Sequence, residues 1–394
     1  FLLAALGLAA CGSDDATRLN TGDVAPAFTT ASLGSASMKF PDDVHGKVVV
    51  IRFWADWCRY CENEMKAIEQ VWQRHKGEGL EVLAVNAGSS TLRFALHPVE
   101  GGIAQPALLT GVIEGLSAQG PLDMIWNGGG TTHTERRGDA DGDGFESALA
   151  MLQKMLQRES AGRELQAVAH RVVHGGARYR EATVVTDSVV QDLERLCRLA
   201  PLHQPHNVQG IRAFARRFPT VPQVACFDTA YHADLPDVEY RFALPQAIHD
   251  EGVRRYGFHG LSYQYVMQSL QQVTPMAHGR VVMAHLGSGA SVCGATQGQS
   301  RATSMGFSAL DGLMMGTRAG ALDAGVVLHL LAQGWDHARL QHLLYRQSGL
   351  LGVSEVSSDI RQLRSSDSAQ ADLAIRMFTY RVVREVGAMV ACIG

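Results

Sequence analysis

Two kinds of residue in this chain are suited to chemistry: a spaced cysteine pair near the start, and arginines and histidines set among glycines through the rest. Cys58 and Cys61 follow the apolar, β-branched run Val48–Trp54 and open a helical pattern from Glu62 to about Lys76. A helix N-terminus and its unpaired amides stabilise a thiolate at Cys58, and Cys61, one turn later, is placed to resolve a mixed disulfide. Zinc would need two further ligands, and no second cysteine pair exists, so redox chemistry is the better reading. Farther on, Asn86-Ala-Gly-Ser89-Ser-Thr91 joins two strand-like runs, Leu80–Val85 and Leu92–Leu96. His285-Leu-Gly287-Ser-Gly289-Ala-Ser291 repeats the arrangement about two hundred residues later. Small residues in a tight turn let amides and hydroxyls approach a phosphate. Neither turn is a P-loop, since Gly-Lys-Ser/Thr and a following helix are missing. The repetition suggests a duplicated fold with a nucleotide held between its halves.

Other clusters narrow the chemistry. His170-Arg171-Val-Val173-His174-Gly-Gly, Leu202-His203-Gln-Pro-His206, Phe227-Asp228-Thr-Ala-Tyr-His232, Tyr256-Gly-Phe258-His259-Gly and Asp311 through Gly316-Thr-Arg318-Ala-Gly320 set cationic groups beside glycines. Arginine is always charged and grips carboxylate or phosphate with two parallel hydrogen bonds. His170 and His174 have the spacing of a metal pair on a helix, but the intervening Val-Val favours a strand, where that spacing holds the rings apart. Any single histidine here has a structural reading as a buried hydrogen-bonder. Asp139-x-Asp141-x-Asp143-Gly begins like a calcium loop, but its twelfth position is Ala150, so it reads as a polar loop.

The elements that must position these groups are those of an ordinary globular chain. It has 394 residues, 46% hydrophobic and 19% charged, with a formal charge of −4, enough for two or three domains. The charge balance gives no electrostatic reason to bind nucleic acid. Seven cysteines are too few for a disulfide scaffold, and Cys197, Cys226, Cys293 and Cys392 read as free thiols. Asp187–Leu199 and Val326–Leu344 read as amphipathic, core-facing helices. Of 30 Arg and 5 Lys, four of each lie in the first 80 residues, leaving 26 Arg and one Lys beyond. That break marks a boundary near residue 80. Both ends read as cuts: ten apolar residues precede Cys11 without an initiator Met, and the chain stops within the apolar run Ala391–Gly394. Leu8-Ala-Ala-Cys11 resembles a bacterial lipoprotein processing site, with Cys11 as the lipidated residue.

Two resemblances follow. Gly22-Asp-Val-Ala-Pro26 through Asn86, with Cys58 and Cys61 as the redox pair, resembles membrane-tethered thioredoxin-like proteins, without the family's later cis-Pro loop, two further strands and last helix. Over about 310 residues, Asn86-Ala-Gly-Ser-Ser, His170-Arg-Val-Val-His-Gly-Gly, Phe227-Asp-Thr-Ala-Tyr-His, Tyr256-Gly-Phe-His-Gly and Met305-Gly-Phe through Gly316-Thr-Arg318 are similar to the acetate kinase family of the acetate/sugar kinase, Hsp70 and actin superfamily. The resemblance implies an α/β architecture of two ribonuclease H-like lobes (the actin-like ATPase fold) preceded by a partial thioredoxin-like βαβ unit. The domains expected are a signal-like tether over 1–19, a partial thioredoxin-like unit over 20–81, and lobes over 82–230 and 231–394.

What the second resemblance implies is reversible, Mg²⁺-assisted transfer of a phosphoryl group from ATP to the carboxylate of acetate. Arg171 and Arg318 would clamp the carboxylate and the transferring group, and His259 would donate to its equatorial oxygens as a transition-state stabiliser. Asp228 would orient the Mg²⁺ shell or Arg171. Asn86, Ser89, Thr91, Arg93, His203, His285, Gly287 and Gly289 would lie near nucleotide phosphates, with Asn86 also near the metal. Val173, Leu202, Phe258 and Ala309 would wall the acetate methyl. Ala309 stands where the family commonly has Pro, leaving room for propionate, and Ser288 replaces the usual Asn of its loop. Relatives continue past Gly394 with a nucleotide loop and a metal-linked Glu, so impaired activity is expected of this polypeptide. A homodimer and a cytoplasmic location are implied by the same family, while the exported N-terminal segment conflicts with both an ATP supply and that location. The membrane is a partner only if the lipoprotein signal is genuine. The alternatives are a membrane-tethered thiol–disulfide oxidoreductase and a non-functional chimeric join. Leu83-Ala-Val-Asn-Ala-Gly88 suits either half, so the join reads as a crossover rather than a purposeful fusion.

Overall fold

A computed structural model describes residues 28–30, 38–40, 80–88, 90–100, 103–104, 106–116, 120–138, 144–159, 165–201 and 203–394. Cys11, Cys58, Cys61, Ser89, Leu202 and the loop Asp139–Asp143 lie outside the described residues. Strands β1 (Phe28–Thr30) and β2 (Met38–Phe40) pair antiparallel in one compact unit, and every described element from Leu80 onward belongs to a second.

The second unit is organised on β3 (Leu80–Ala87), whose alternation buries both faces. Val82 and Ala84 pack with Ala167, Ala169, Val224, Cys226 and Leu261 on one side. Leu83, Val85 and Ala87 pack on the other against α1 (Gly144–Glu159), which contributes Leu149, Leu152 and Met155. Strand β3 pairs antiparallel with β4 (Thr91–Glu100) and parallel with β9 (Leu165–Val172). On the β4 side follow the short β5 (Ile103–Ala104), then β6 (Leu109–Glu114), β7 (Leu122–Gly128) and β8 (Thr131–Arg137). Beyond β9 come β11 (Gln223–Phe227), parallel to it, and β10 (Thr183–Val184) at the edge. Helix α2 (Asp187–Arg195) begins under a Thr186 cap, and α3 (Gln204–Arg217) sends Phe214 into the same core as α1. A mixed sheet whose central strands are buried on both faces is the expected layering for a nucleotide-type α/β domain.

Two short helices, α4 (Asp237–Tyr240) and α5 (Gln246–Asp250), lead to α6 (Gly260–Val273) and to a second, antiparallel sheet of β12 (Arg280–Leu286), β13 (Ala290–Thr296) and β14 (Gln299–Thr303). Met267 and Tyr263 of α6 pack on one face of this sheet with Met283 and Cys293. The other face, through Val292 and Ala302, meets Met389 of the long terminal helix. The expected single helix over Val326–Leu344 is corrected to two, α7 (Ala324–Ala332) and α8 (His337–Arg346), each capped by an Asp and separated at Gly334 with φ 85. Helix α7 buries none of its residues, so its apolar composition does not face the core; α8 buries Leu340. Helices α9 (Gly349–Ser354), α10 (Ile360–Arg364) and α11 (Ala369–Ile393) complete the unit.

One side chain sets the spacing where the site forms. The ladder between β3 and β9 has its last pair at Val85 and His170, after which the two parallel strands diverge. Buried Asn207 of α3 bridges the divergence: its Oδ1 accepts from the Val173 N–H at 3.0 Å and its Nδ2 donates to the Ala87 carbonyl at 3.1 Å. A buried amide or carbonyl left without a partner costs about 1–3 kcal/mol. Replacing Asn207 with Leu orphans two such groups, so N207L is expected to lower stability by about 2–6 kcal/mol. Urea unfolding of the two chains side by side measures this, and an unchanged midpoint would refute the bridging role.

Candidate active site

The carboxyl ends of β9 and β11 deliver Arg171 and Asp228 to one place, because Arg171 pairs with Cys226 across the ladder and the Asp228 N–H continues it to the Val172 carbonyl. Asp228 is only 2% exposed and receives the guanidinium through two bonds, Nε to Oδ1 at 3.1 Å and Nη2 to Oδ2 at 2.5 Å. The third guanidinium edge donates from Nη1 to Asn86 Oδ1 at 3.3 Å, at the end of β3. Arg93 stands directly opposite Asn86 across the β3–β4 ladder, which puts both on one face. Thr91 starts β4, and its carbonyl accepts from the Gly88 N–H at 2.9 Å, closing the small-residue turn.

A second group of cations approaches from the other half of the unit. Arg318 donates from Nη1 to the Ala309 carbonyl at 2.5 Å, and its Nη2 lies where a Cβ on Gly289 would come within 2.6 Å. The same imagined Cβ would stand 3.2 Å from His259 Nε2, so only glycine lets the chain pass here. Gly287 shapes the loop by donating its N–H to the Gly289 carbonyl at 3.0 Å. The His259 and His285 rings stack with centroids 4.0 Å apart. Burial, then His285, Arg171 and Arg318, hold His259 well below the ordinary imidazole range. His203, at the start of α3, keeps part of its surface open to solvent; desolvation within the cleft and then Arg318 and Arg171 push it down to about 4. Burial also lowers Arg318 to about 10, which leaves it charged at neutral pH. The gathering is thus two charged guanidinium groups with neutral imidazoles beside them, an arrangement for a multiply charged anion.

Next to these cations lies a small apolar cavity. Val173, Phe258 and Ala309 line it as expected, and His203 marks its polar edge. Leu199, Ala200, Pro201, Ser308 and Tyr345 also line it and were not singled out in the sequence. Pro201 adjoins a motif that was; Tyr345 sits on α8, where no local pattern marks it. Asn86 and Asp228 are the hard oxygen groups at the site, and among the described residues no cluster of three or more His, Cys, Asp or Glu could hold a metal by itself. Magnesium takes one or two protein oxygens and completes its shell with water and phosphate, so this donor set fits a metal brought in with a nucleotide.

His170 and His174 do not form a metal pair. His170 Nε2 bonds Gln223 Oε1 at 2.7 Å, whereas His174 Nδ1 accepts from the Gly176 N–H at 2.9 Å. Burial lowers both, and His232, from an ordinary 6.5 to about 4. Unfolding exposes these rings and lets them take up protons between those values. Their contribution to stability is fully present above about pH 6.5 and falls as the pH drops toward 4. The thermal midpoint is expected to fall steeply over that window, with these three rings together taking up about three protons on unfolding near pH 5. Calorimetry at several pH values measures both quantities; a flat midpoint from pH 7 to 5 would contradict the burial of these rings.

Known proteins resemble both parts of the chain. The AhpC/TSA family matches residues 21–97, in accord with the thioredoxin-like resemblance of the first segment. An acetate kinase of Rhodopseudomonas palustris is 46% identical over 317 residues, 79% of this chain and 79% of that protein. One from Methylocella silvestris is 45% identical over 320 residues, again 79% of each. Among solved structures, a propionate kinase from Francisella tularensis superposes with a TM-score of 0.73 at 32% identity, covering 79% of this chain and 80% of its own. Porphyromonas gingivalis acetate kinase gives 0.70 at 34%, covering 80% of each. These likenesses bear out the α/β, actin-like ATPase fold expected of the larger part. The acetokinase family matches residues 81–394, and the chain belongs to it.

Proposed function

We propose that the chain catalyses the reversible transfer of the γ-phosphoryl group of ATP to the carboxylate of acetate, giving acetyl phosphate and ADP. The observation that carries this reading is the convergence of Arg171, Arg318 and His259 beside an apolar cavity lined by Val173, Phe258 and Ala309. A carboxylate needs no general base to attack phosphorus, so the protein's work is to align it in line and to neutralise charge spread over the phosphoryl oxygens. Arg171 and Arg318 serve both anions, and Asp228 keeps Arg171 oriented by its two-bond grip. His259 donates to the equatorial oxygens, and His203, His285, Asn86, Thr91, Arg93 and the loop of Gly287 and Gly289 receive nucleotide phosphates. Mg²⁺ bound with ATP supplies charge neutralisation at the phosphates, with Asn86 and Asp228 as the protein oxygens near its shell. The two sheets support a division into lobes near residue 230, with the larger sheet in the first and β12–β14 in the second.

The AhpC/TSA match over 21–97 supports a second reading for the first segment, thiol–disulfide exchange at Cys58 and Cys61, which lie outside the described residues. The two readings separate in simple assays, acetyl phosphate trapped as hydroxamate against dithiol-driven disulfide reduction. Among the described residues no helix is long and apolar enough to cross a membrane.

Ala309 leaves the acyl cavity larger than a bulkier residue would, and a matched methylene in an apolar pocket changes kcat/KM about 10–200-fold. The chain is therefore expected to phosphorylate propionate as well as acetate, and Ala309→Val to lower kcat/KM for propionate about 10-fold more than for acetate. Arg171→Ala is expected to abolish measurable hydroxamate formation from either acid. A variant at Ala309 that leaves the ratio of the two substrates unchanged would remove the cavity from the specificity argument.

A further inference from the structure

His259 precedes α6 in a left-handed conformation, φ 61 and ψ 18, and both peptide groups flanking it are held. The Phe258 carbonyl accepts from His232 Nε2 at 3.0 Å, and the Gly260 N–H donates to the Asp228 carbonyl at 2.8 Å. A non-glycine residue stays in this region only where its surroundings over-determine it, and here they aim one imidazole at the cleft. The inner edge of that ring meets a buried chain of hydroxyl groups. Its Nδ1 lies 2.8 Å from Ser291 Oγ, and Ser291 Oγ lies 2.5 Å from the phenol oxygen of Tyr263. Ser291 and Tyr263 are 0% and 1% exposed.

One assignment of protons satisfies every group in this chain. The phenol oxygen of Tyr263 accepts from the His285 main-chain N–H, and burial raises its ionisation well above the usual range, so it keeps its proton. That proton goes to Ser291 Oγ. The Ser291 hydroxyl, with a lone pair already engaged, sends its own proton to His259 Nδ1. A neutral imidazole has one N–H, so Nε2 carries it. Nε2 is the atom that faces Gly289 and Arg318 across the cleft.

We propose that Tyr263 and Ser291 form a buried relay that fixes His259 in the tautomer with its proton on Nε2, facing the cleft. They are positioning residues, since neither reaches the site itself. The relay supplies a hydrogen-bond donor without adding a charge, which suits a cleft where two arginines already meet the anion. The use of that donor on a phosphoryl oxygen rests on the function proposed above; the tautomer does not.

Nitrogen-15 NMR of the full chain with labelled histidine tests the assignment directly, with the His259 signals identified by their loss in His259→Gln. The expected spectrum has a pyridine-like Nδ1 and a pyrrole-like Nε2 for His259. Ser291→Ala should shift the Nδ1 signal and lower kcat about 10-fold, with KM for acetate and ATP within about twofold, and Ser291→Thr should recover both. Tyr263→Phe should move the same Nδ1 signal while leaving the Ser291 hydroxyl in place. A pyrrole-like Nδ1 in the unsubstituted chain overturns the relay whatever the variants do. So does a Ser291→Ala chain with unchanged signals and turnover. A chain with the expected tautomer that forms no acetyl phosphate upholds the relay and counts against the phosphoryl-transfer reading instead.

Discussion

The site depends on one ion pair at the ends of two parallel strands. Asp228 is buried at the end of β11 and Arg171 is half-exposed at the end of β9, so the carboxylate is inside and the cation faces the cleft. Removing one partner of a buried pair costs about 3–5 kcal/mol, because the other is left desolvated and unpaired. The pair therefore holds the guanidinium in one orientation, and Asn86 on β3 bonds its remaining edge. Three neighbouring strand ends are gathered around a single cation. This is the crevice at the carboxyl ends of parallel strands where ligands of open α/β sheets bind.

That arrangement decides the state of the histidines. Desolvation in the cleft and the guanidinium groups close by disfavour His203 and His259 as cations, although His203 keeps part of its surface open to solvent. Charge at the site then comes from arginines, whose protonation does not vary over the working pH range, while imidazoles provide direction. Gly289 completes the arrangement by leaving no side chain between His259 and Arg318. Precision here comes from what is absent from the backbone as much as from what is attached to it.

The overlap of the two family matches, residues 81–97, falls on β3 and β4. An apolar alternating strand ending in Asn-Ala-Gly satisfies the needs of either fold, since a central strand asks chiefly for burial on both faces. In the structure this strand belongs to the larger sheet, bonded to β4 on one side and β9 on the other. Shared local requirements, not shared chemistry, make the string serve both resemblances.

Much of the site was legible because anion chemistry leaves a local signature: arginines and histidines beside glycines, as at Arg171, His259, Gly289 and Arg318. Strands β3 and β4 were legible from apolar runs joined by a turn of small residues. The helix expected over Val326–Leu344 was not, because apolar periodicity reports a pattern and not the surface it faces; α7 is apolar and exposed. Tyr345, Asn207 and Tyr263 carry no local mark, and Ser291 was marked only as a member of its small-residue turn, since each acts through a neighbour distant in sequence. The sequence by itself determined which residue types were available for phosphate and carboxylate. Only the tertiary structure decided that Asp228 holds Arg171, that Asn207 sets the crevice and that Ser291 stands behind His259. Those are distances between elements, and a linear pattern contains none of them.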